Sequence, residues 1–176
     1  MRIAIDMDEV LADAHGGQRA LYADAGFTID DADLRGRRLR DVAPHEAVIA
    51  VERHLHQGTF FANLDPMPGA TAALRRLCAT HEVFIATAAM EYPASCGHKV
   101  AWVMRHFPFF DLDRLVLCGD KSIIKADVLI DDHARHFDGF GGQGLLFDAL
   151  HNATVDWPHR LTYWDHAHST LQEMSA

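Results

Sequence analysis

The feature that most constrains this chain is a set of short apolar runs, most of which stop at a polar group. Ile3-Ala4-Ile5 ends at Asp6, Val83-Phe84-Ile85-Ala86 at Thr87, and Val128-Leu129-Ile130 at Asp131-Asp132. Leu115-Val116-Leu117-Cys118 is a further run, with Lys121 just beyond it. Short runs with no polar alternation read as strands buried on both faces of a parallel sheet. Gly144-Leu145-Leu146-Phe147 is a candidate fifth strand. Helical patterns fall between them: Ala20, Leu21 and Ala25 after Gly16-Gly17, Ala73, Leu74 and Leu77 within 70–80, and Val100, Trp102, Val103 and Met104 before the third run. This alternation predicts an α/β fold, a doubly wound parallel sheet with a Rossmann-type core. Such sheets bind ligands beyond the carboxyl ends of their strands, so the polar stops would gather at one edge.

The segment 15–63 interrupts the alternation. Its Leu34, Leu39, Val42, Val48, Ile49 and Leu55 recur mostly at helical spacing. The expected organisation is an α/β core of residues 1–14 and 64–176, with a small helical cap of residues 15–63 inserted after the first strand and lying over that edge.

Charge narrows the function. Lys plus Arg number 16 and Asp plus Glu 25, a formal charge of −9. That balance disfavours a coat for nucleic acid or anionic membrane, but a small phosphate remains accessible if a divalent cation is recruited. No apolar run approaches the roughly 20 residues of a membrane span, and the N-terminus turns acidic too early for a signal peptide. Three widely spaced cysteines, Cys78, Cys96 and Cys118, read as free thiols in a reducing cytoplasm. A monomer and a homodimer are both compatible with this surface.

The strand-end groups carry chemistry in combination. The Asp6 carboxylate can act as nucleophile, metal ligand or both. Asp8, two residues on, can serve as general acid and then base, or the pair can cap a helix. Adjacent Asp131 and Asp132 call for a neutralising cation or for solvent. Lys121 can clamp a phosphate as a point charge, and Thr87 adds a hydroxyl. Arg35, Arg37, Arg38 and Arg40 can draw anions to the cleft or form a solvated helix face. Phe60 and Phe61 can stack on a base or pack the insert. The histidines lack companion cysteines and read mostly as surface groups, although His133 and His136 follow the carboxylate pair. Trp102, Trp157 and Trp164 are expected to pack, and the glycines of 139–144 to form a turn.

Four stretches carry a family resemblance: Asp6-Met7-Asp8-Glu9-Val10-Leu11-Ala12-Asp13, Phe60 to Gly69, Val83 to Met90, and Asp120 to Asp132. The chain resembles the haloacid dehalogenase superfamily of phosphatases, and within it the 5′(3′)-deoxyribonucleotidases. The resemblance implies that Asp6 attacks phosphorus to form an aspartyl-phosphate, and that Asp8 protonates the leaving group and then activates water. It implies phosphate contacts from Asp8, Thr87, the Ala88 N–H and Lys121. It implies Mg²⁺ held by Asp6, Asp8 (through its carbonyl) and Asp132, with Asp131 holding a metal water or Lys121. Ala14, Phe60 and Phe61 would line the substrate pocket. Glu9 stands where these nucleotidases commonly have Gly, Ala14 where the better-known ones have an aromatic residue, and Ala88 where a hydroxyl residue is usual. The expected function is hydrolysis of nucleoside monophosphates, preferably deoxyribonucleotides. The alternatives are a phosphatase of another small metabolite, such as a sugar phosphate, and a catalytically idle nucleotide-binding protein.

Overall fold

The computed structural model describes residues 1–175. Its centre is a six-stranded sheet in the order β3-β2-β1-β4-β5-β6, parallel throughout. The strands are β1 (Arg2–Ile5), β2 (Glu82–Thr87), β3 (Leu115–Leu117), β4 (Val128–Asp131), β5 (Gln143–Phe147) and β6 (Arg160–Leu161). The apolar runs do form strands. β6 was not anticipated, because two residues leave no period to detect.

β1 lies between β2 and β4, with Ile5 level with Ile85 and Ile130. That register brings Asp6, Thr87 and Asp131 to one edge. The runs are apolar on both faces because both faces are covered. Ile3, Ile5, Val83, Ile85 and Ile130 pack into one cluster, and Ala4, Ala86, Leu129 and Leu146 into another behind the sheet.

Between β1 and α5 (Ala70–Thr80) lie α1 (Ala14–Asp24), α2 (Asp31–Leu34), α3 (Leu39–Val42), α4 (His45–His56) and a 3₁₀ turn at Thr59–Ala62. The Asp13 carboxylate caps α1, accepting from the Gly16 N–H at 2.7 Å. Gly16 and Gly17 therefore lie inside this helix, whereas the sequence placed them before it. Leu34, Leu39, Val51 and Leu55 join the same cluster as β1 and α5, so these helices share the main core. α6 (Cys96–His106) packs Trp102 and Val103 inward, and α7 (Ala167–Met174) buries Ala167 and Leu171. Trp102 and Trp164 are fully buried, while Trp157 is half-buried. Among the described residues no helix is long and apolar enough to cross a membrane.

Candidate active site

The loop after β1 turns back at once. The Leu11 and Ala12 N–H groups both donate to the Met7 carbonyl at 2.8 Å. The turn puts Glu9 at φ 63, a left-handed conformation that costs any residue with a Cβ roughly 1–2 kcal/mol. This accounts for the glycine usual at the position.

Lys121 is the hub of the site. Its ammonium donates to Asp6 Oδ1 and to Asp131 Oδ2, each at 2.5 Å, and its side chain is almost wholly buried. Lys121 reaches inward from a 3₁₀ turn, Lys121–Ile123, whose preceding Asp120 accepts from the Ser122 N–H at 2.8 Å. Asp131 is fully engaged: its Oδ1 also accepts from the His133 N–H at 2.8 Å, and His136 Nδ1 lies 2.9 Å from both its oxygens. Asp132 lies beside it, fully buried, with His133 Nε2 and His151 Nε2 at 3.6 and 3.3 Å from its Oδ2.

The electrostatics follow from burying more carboxylates than cations. Burial raises Asp6 to about 6, against the pull of Lys121. Burial, then the neighbouring Asp131, Asp6 and Glu9, raise Asp132 well above the usual carboxylate range. Burial raises Glu9 to about 8. Burial alone would raise Asp131 too, but the hydrogen bond to His136 and the Lys121 charge hold it down at about 2. Burial opposes the Lys121 charge, yet Asp6 and Asp131 keep its ammonium firmly protonated. Burial keeps His133 neutral, at about 3.

Asp6, Asp131 and Asp132 offer oxygens that all lie within 4.8 Å of one another. Hard carboxylate oxygens around an excess negative charge suit a divalent cation of the Mg²⁺ or Ca²⁺ type. The Asp8 carbonyl accepts no backbone hydrogen bond among the described residues and is free to join such a set. The cation therefore fits this donor set.

These groups open into a cleft of about 160 Å³ bounded by Ala14, His15, Gln18, Arg38, Arg40, Phe61, Ala88 and Tyr92 as well as the carboxylates. Ala14 and Phe61 are on its wall. Phe60 is not: its ring packs edge-on to Phe61, with centroids 5.0 Å apart, and lies against Gly17, so the expectation that it lines the pocket is corrected. Thr87 and Lys121 are buried and do not form part of its wall. A larger, more open concavity of about 1130 Å³ lies around Met1, Arg2, Glu82 and Asp127, at the other end of the strands. The carboxyl ends of the strands do not open there, so it is not where this fold binds ligands.

Two sets of residues escaped the sequence reading. His15 and His151 line the cleft half-buried, rather than facing solvent as most histidines were expected to do, and beside them stand His133 and His136, which the sequence placed within reach of the carboxylate pair. Lys99 on α6 is fully buried and donates to Asp8 Oδ2 at 2.5 Å and to Thr87 Oγ1 at 2.8 Å. Its signal was its spacing from Trp102 and Val103, three and four residues on, which puts it on the inward face of the helix.

Solved structures share this arrangement of strands. A haloacid dehalogenase-like protein of Agrobacterium tumefaciens superposes with a TM-score of 0.63 at 14% identity, covering 99% of both chains. A hydrolase of the same family from Deinococcus radiodurans, described with bound phosphate and sodium, gives 0.61 at 16%, covering 99% of this chain and 96% of its own. The fold is thus haloacid dehalogenase-like, with carboxylates gathered at the strand edge. In sequence, the chain is 36% identical over 166 residues to the 5′(3′)-deoxyribonucleotidase of Bacillus subtilis, covering 93% of this chain and 94% of the relative. The family model described as 5′ nucleotidase, deoxy (pyrimidine), cytosolic type C protein matches residues 1–174, and the chain belongs to that family.

Proposed function

We propose that the protein is a Mg²⁺-dependent phosphomonoesterase of nucleoside monophosphates, preferring deoxyribonucleotides, that works through an aspartyl-phosphate on Asp6. The observation that carries this reading is the Lys121 ammonium held between Asp6 and Asp131 beside buried Asp132.

Lys121 ties down Asp6 Oδ1. The second oxygen of Asp6 accepts no hydrogen bond among the described residues, and Asp6 borders the cleft. That oxygen attacks phosphorus as the bond to the leaving oxygen breaks, and the leaving oxygen takes a proton from Asp8. Water then attacks phosphorus, Asp8 accepts its proton, and the Asp6–phosphorus bond breaks to release phosphate. General acid help of this kind contributes about 10²–10⁴-fold. Thr87, the Ala88 N–H and Lys121 hold the phosphoryl oxygens, and little else is demanded of the protein than position and charge. Asp6, Asp132 and the Asp8 carbonyl would hold Mg²⁺, with Asp131 holding Lys121. The ion would offset the repulsion between a phosphate dianion and a carboxylate nucleophile. The helices of segment 15–63 act as a cap that chooses the substrate. The proposed setting is the cytoplasm, with neither nucleic acid polymer nor membrane as partner.

The test is phosphate release over deoxyribonucleotides, ribonucleotides and sugar phosphates, with Mg²⁺ and with chelator. Deoxyribonucleotides should lead the panel, chelation should stop turnover, and Asp6→Asn should leave at most about 10⁻⁴ of it. Equal activity of Asp6→Asn would overturn the nucleophile. The small Ala14 on the cleft wall favours one second reading, another phosphorylated metabolite, and that would lead the same panel instead.

A further inference from the structure

Lys99 is a costly residue to place where it stands. Its side chain is 2% exposed, on the face of α6 that also carries Trp102 and Val103. A buried ammonium is tolerated only when well partnered. Both of its partners belong to the strand edge: one is Asp8, in the loop after β1, and the other is Thr87, at the end of β2. We propose that Lys99 is a positioning residue for the acid–base step, pinning one oxygen of Asp8 and fixing the direction of the Thr87 hydroxyl. This inference rests on the phosphatase reading above.

A lysine ammonium has three N–H donors and accepts nothing. One goes to Asp8 Oδ2 at 2.5 Å and one to Thr87 Oγ1 at 2.8 Å. The Phe61 ring, its centroid 4.7 Å from Nζ, takes the remaining face of the ammonium. The donors are thus assigned, and two consequences follow.

The first concerns Asp8. With Oδ2 tied to Lys99, proton transfer falls to Oδ1. That atom is buried and has no hydrogen-bond partner. A buried oxygen left without a partner is costly in a resting protein, and it suits one that gives its proton to the leaving oxygen and then takes one from the attacking water. The carboxyl cannot rotate to exchange its oxygens without breaking the ion pair. The second concerns Thr87. Its oxygen accepts from Lys99, so its own hydrogen must be donated elsewhere. Thr87 is therefore preset as a donor, the role a phosphoryl oxygen requires. Phe61, on the cleft wall, adds a link to the inserted helices: the ring that meets the substrate also covers the cation that orients the acid.

The test separates steps by leaving group. p-Nitrophenolate leaves without a proton, whereas a nucleoside alkoxide needs one. Wild type, Lys99→Met and Lys99→Gln are compared in rapid-mixing experiments with p-nitrophenyl phosphate and with a deoxynucleoside monophosphate. In Lys99→Met the p-nitrophenolate burst should stay within about fivefold of wild type, followed by a slow steady state in which phosphoenzyme accumulates. Single-turnover cleavage of the deoxynucleotide should fall about 100-fold or more, the size of a general acid contribution. KM should change less than threefold. Lys99→Gln keeps a donor without the charge and should fall between; it also serves if Lys99→Met does not fold, as checked by circular dichroism and thermal melting. Equal losses on both substrates, which a merely structural role would give, would overturn the proposal, and so would no loss on either. Failure of the wild type to release phosphate from either substrate would instead break the phosphatase reading itself.

Discussion

On the floor of the cleft Lys121, Asp6 and Asp131 are buried and bonded to one another; on the wall formed by the inserted helices the arginines are exposed and bond to their own surroundings. Lys121, Asp6 and Asp131 form one closed set. Arg38 instead pairs with Asp41 three residues away, and Arg40 with Glu52 and the Tyr92 hydroxyl. In the low dielectric of the floor a removed partner leaves an uncompensated charge, whereas at the wall water replaces it. The floor is therefore suited to chemistry that tolerates no variation, and the wall to contacts that can differ between substrates.

Four experiments press on this contrast. The largest effect is expected on the floor. Lys121→Met leaves Asp6 and Asp131 without their shared cation, and should cost about 3–5 kcal/mol in urea unfolding and at least about 10³-fold in turnover. A loss no larger than that of a wall mutation would erase the distinction. Asp132→Asn should pull in two directions. Mg²⁺ half-saturation should rise at least about tenfold, measured by turnover against metal concentration. In chelator the variant should unfold at higher urea than the wild type, because the removed charge is one the folded state disfavours.

Glu9 sharpens the comparison through pH. Its folded-state value of about 8 lies above the ordinary 4.5, so the native state binds the extra proton between those limits. Its contribution to stability is fully present below about 4.5 and is lost as pH rises through about 8. In chelator, Glu9→Gln should therefore gain on the order of 1–3 kcal/mol over wild type at pH 8 and almost nothing at pH 4.5. Parallel unfolding curves at the two pH values check this. The smallest effect belongs to the wall: Arg40→Ala should change stability by less than about 1 kcal/mol. Its KM for the best substrate should rise about threefold to tenfold with kcat little changed, a difference steady-state kinetics resolves.

The same contrast explains what could be read from the sequence. Asp6, Thr87 and Asp131 were legible because an apolar strand buried on both faces must surface at a polar residue, and register then brings neighbouring ends together. Lys99 was not, because a lysine in a helix normally reads as solvated; only the packing of Trp102 and Val103 turns it inward. The choice between Phe60 and Phe61 was equally hidden. Two adjacent residues of a 3₁₀ turn point different ways, and their neighbours Gly17 and Lys99 lie far off in sequence. His151 escaped for a similar reason, since it reaches Asp132 across 19 residues and another strand.

One hydrogen bond sets a schedule for the molecule. The Trp164 indole N–H donates at 2.7 Å to the carbonyl of Val10, across 154 residues of chain. Val10 belongs to the loop that carries Asp8 and Glu9. Contacts of such sequence separation close late, because the loop entropy must be met before they return anything. On the ribosome, the turn around Val10 waits for the 154 residues up to Trp164 before it has its support. A nascent chain short of Trp164 lacks that prop under the loop that carries Asp8, so hydrolysis is expected only after Trp164 has emerged.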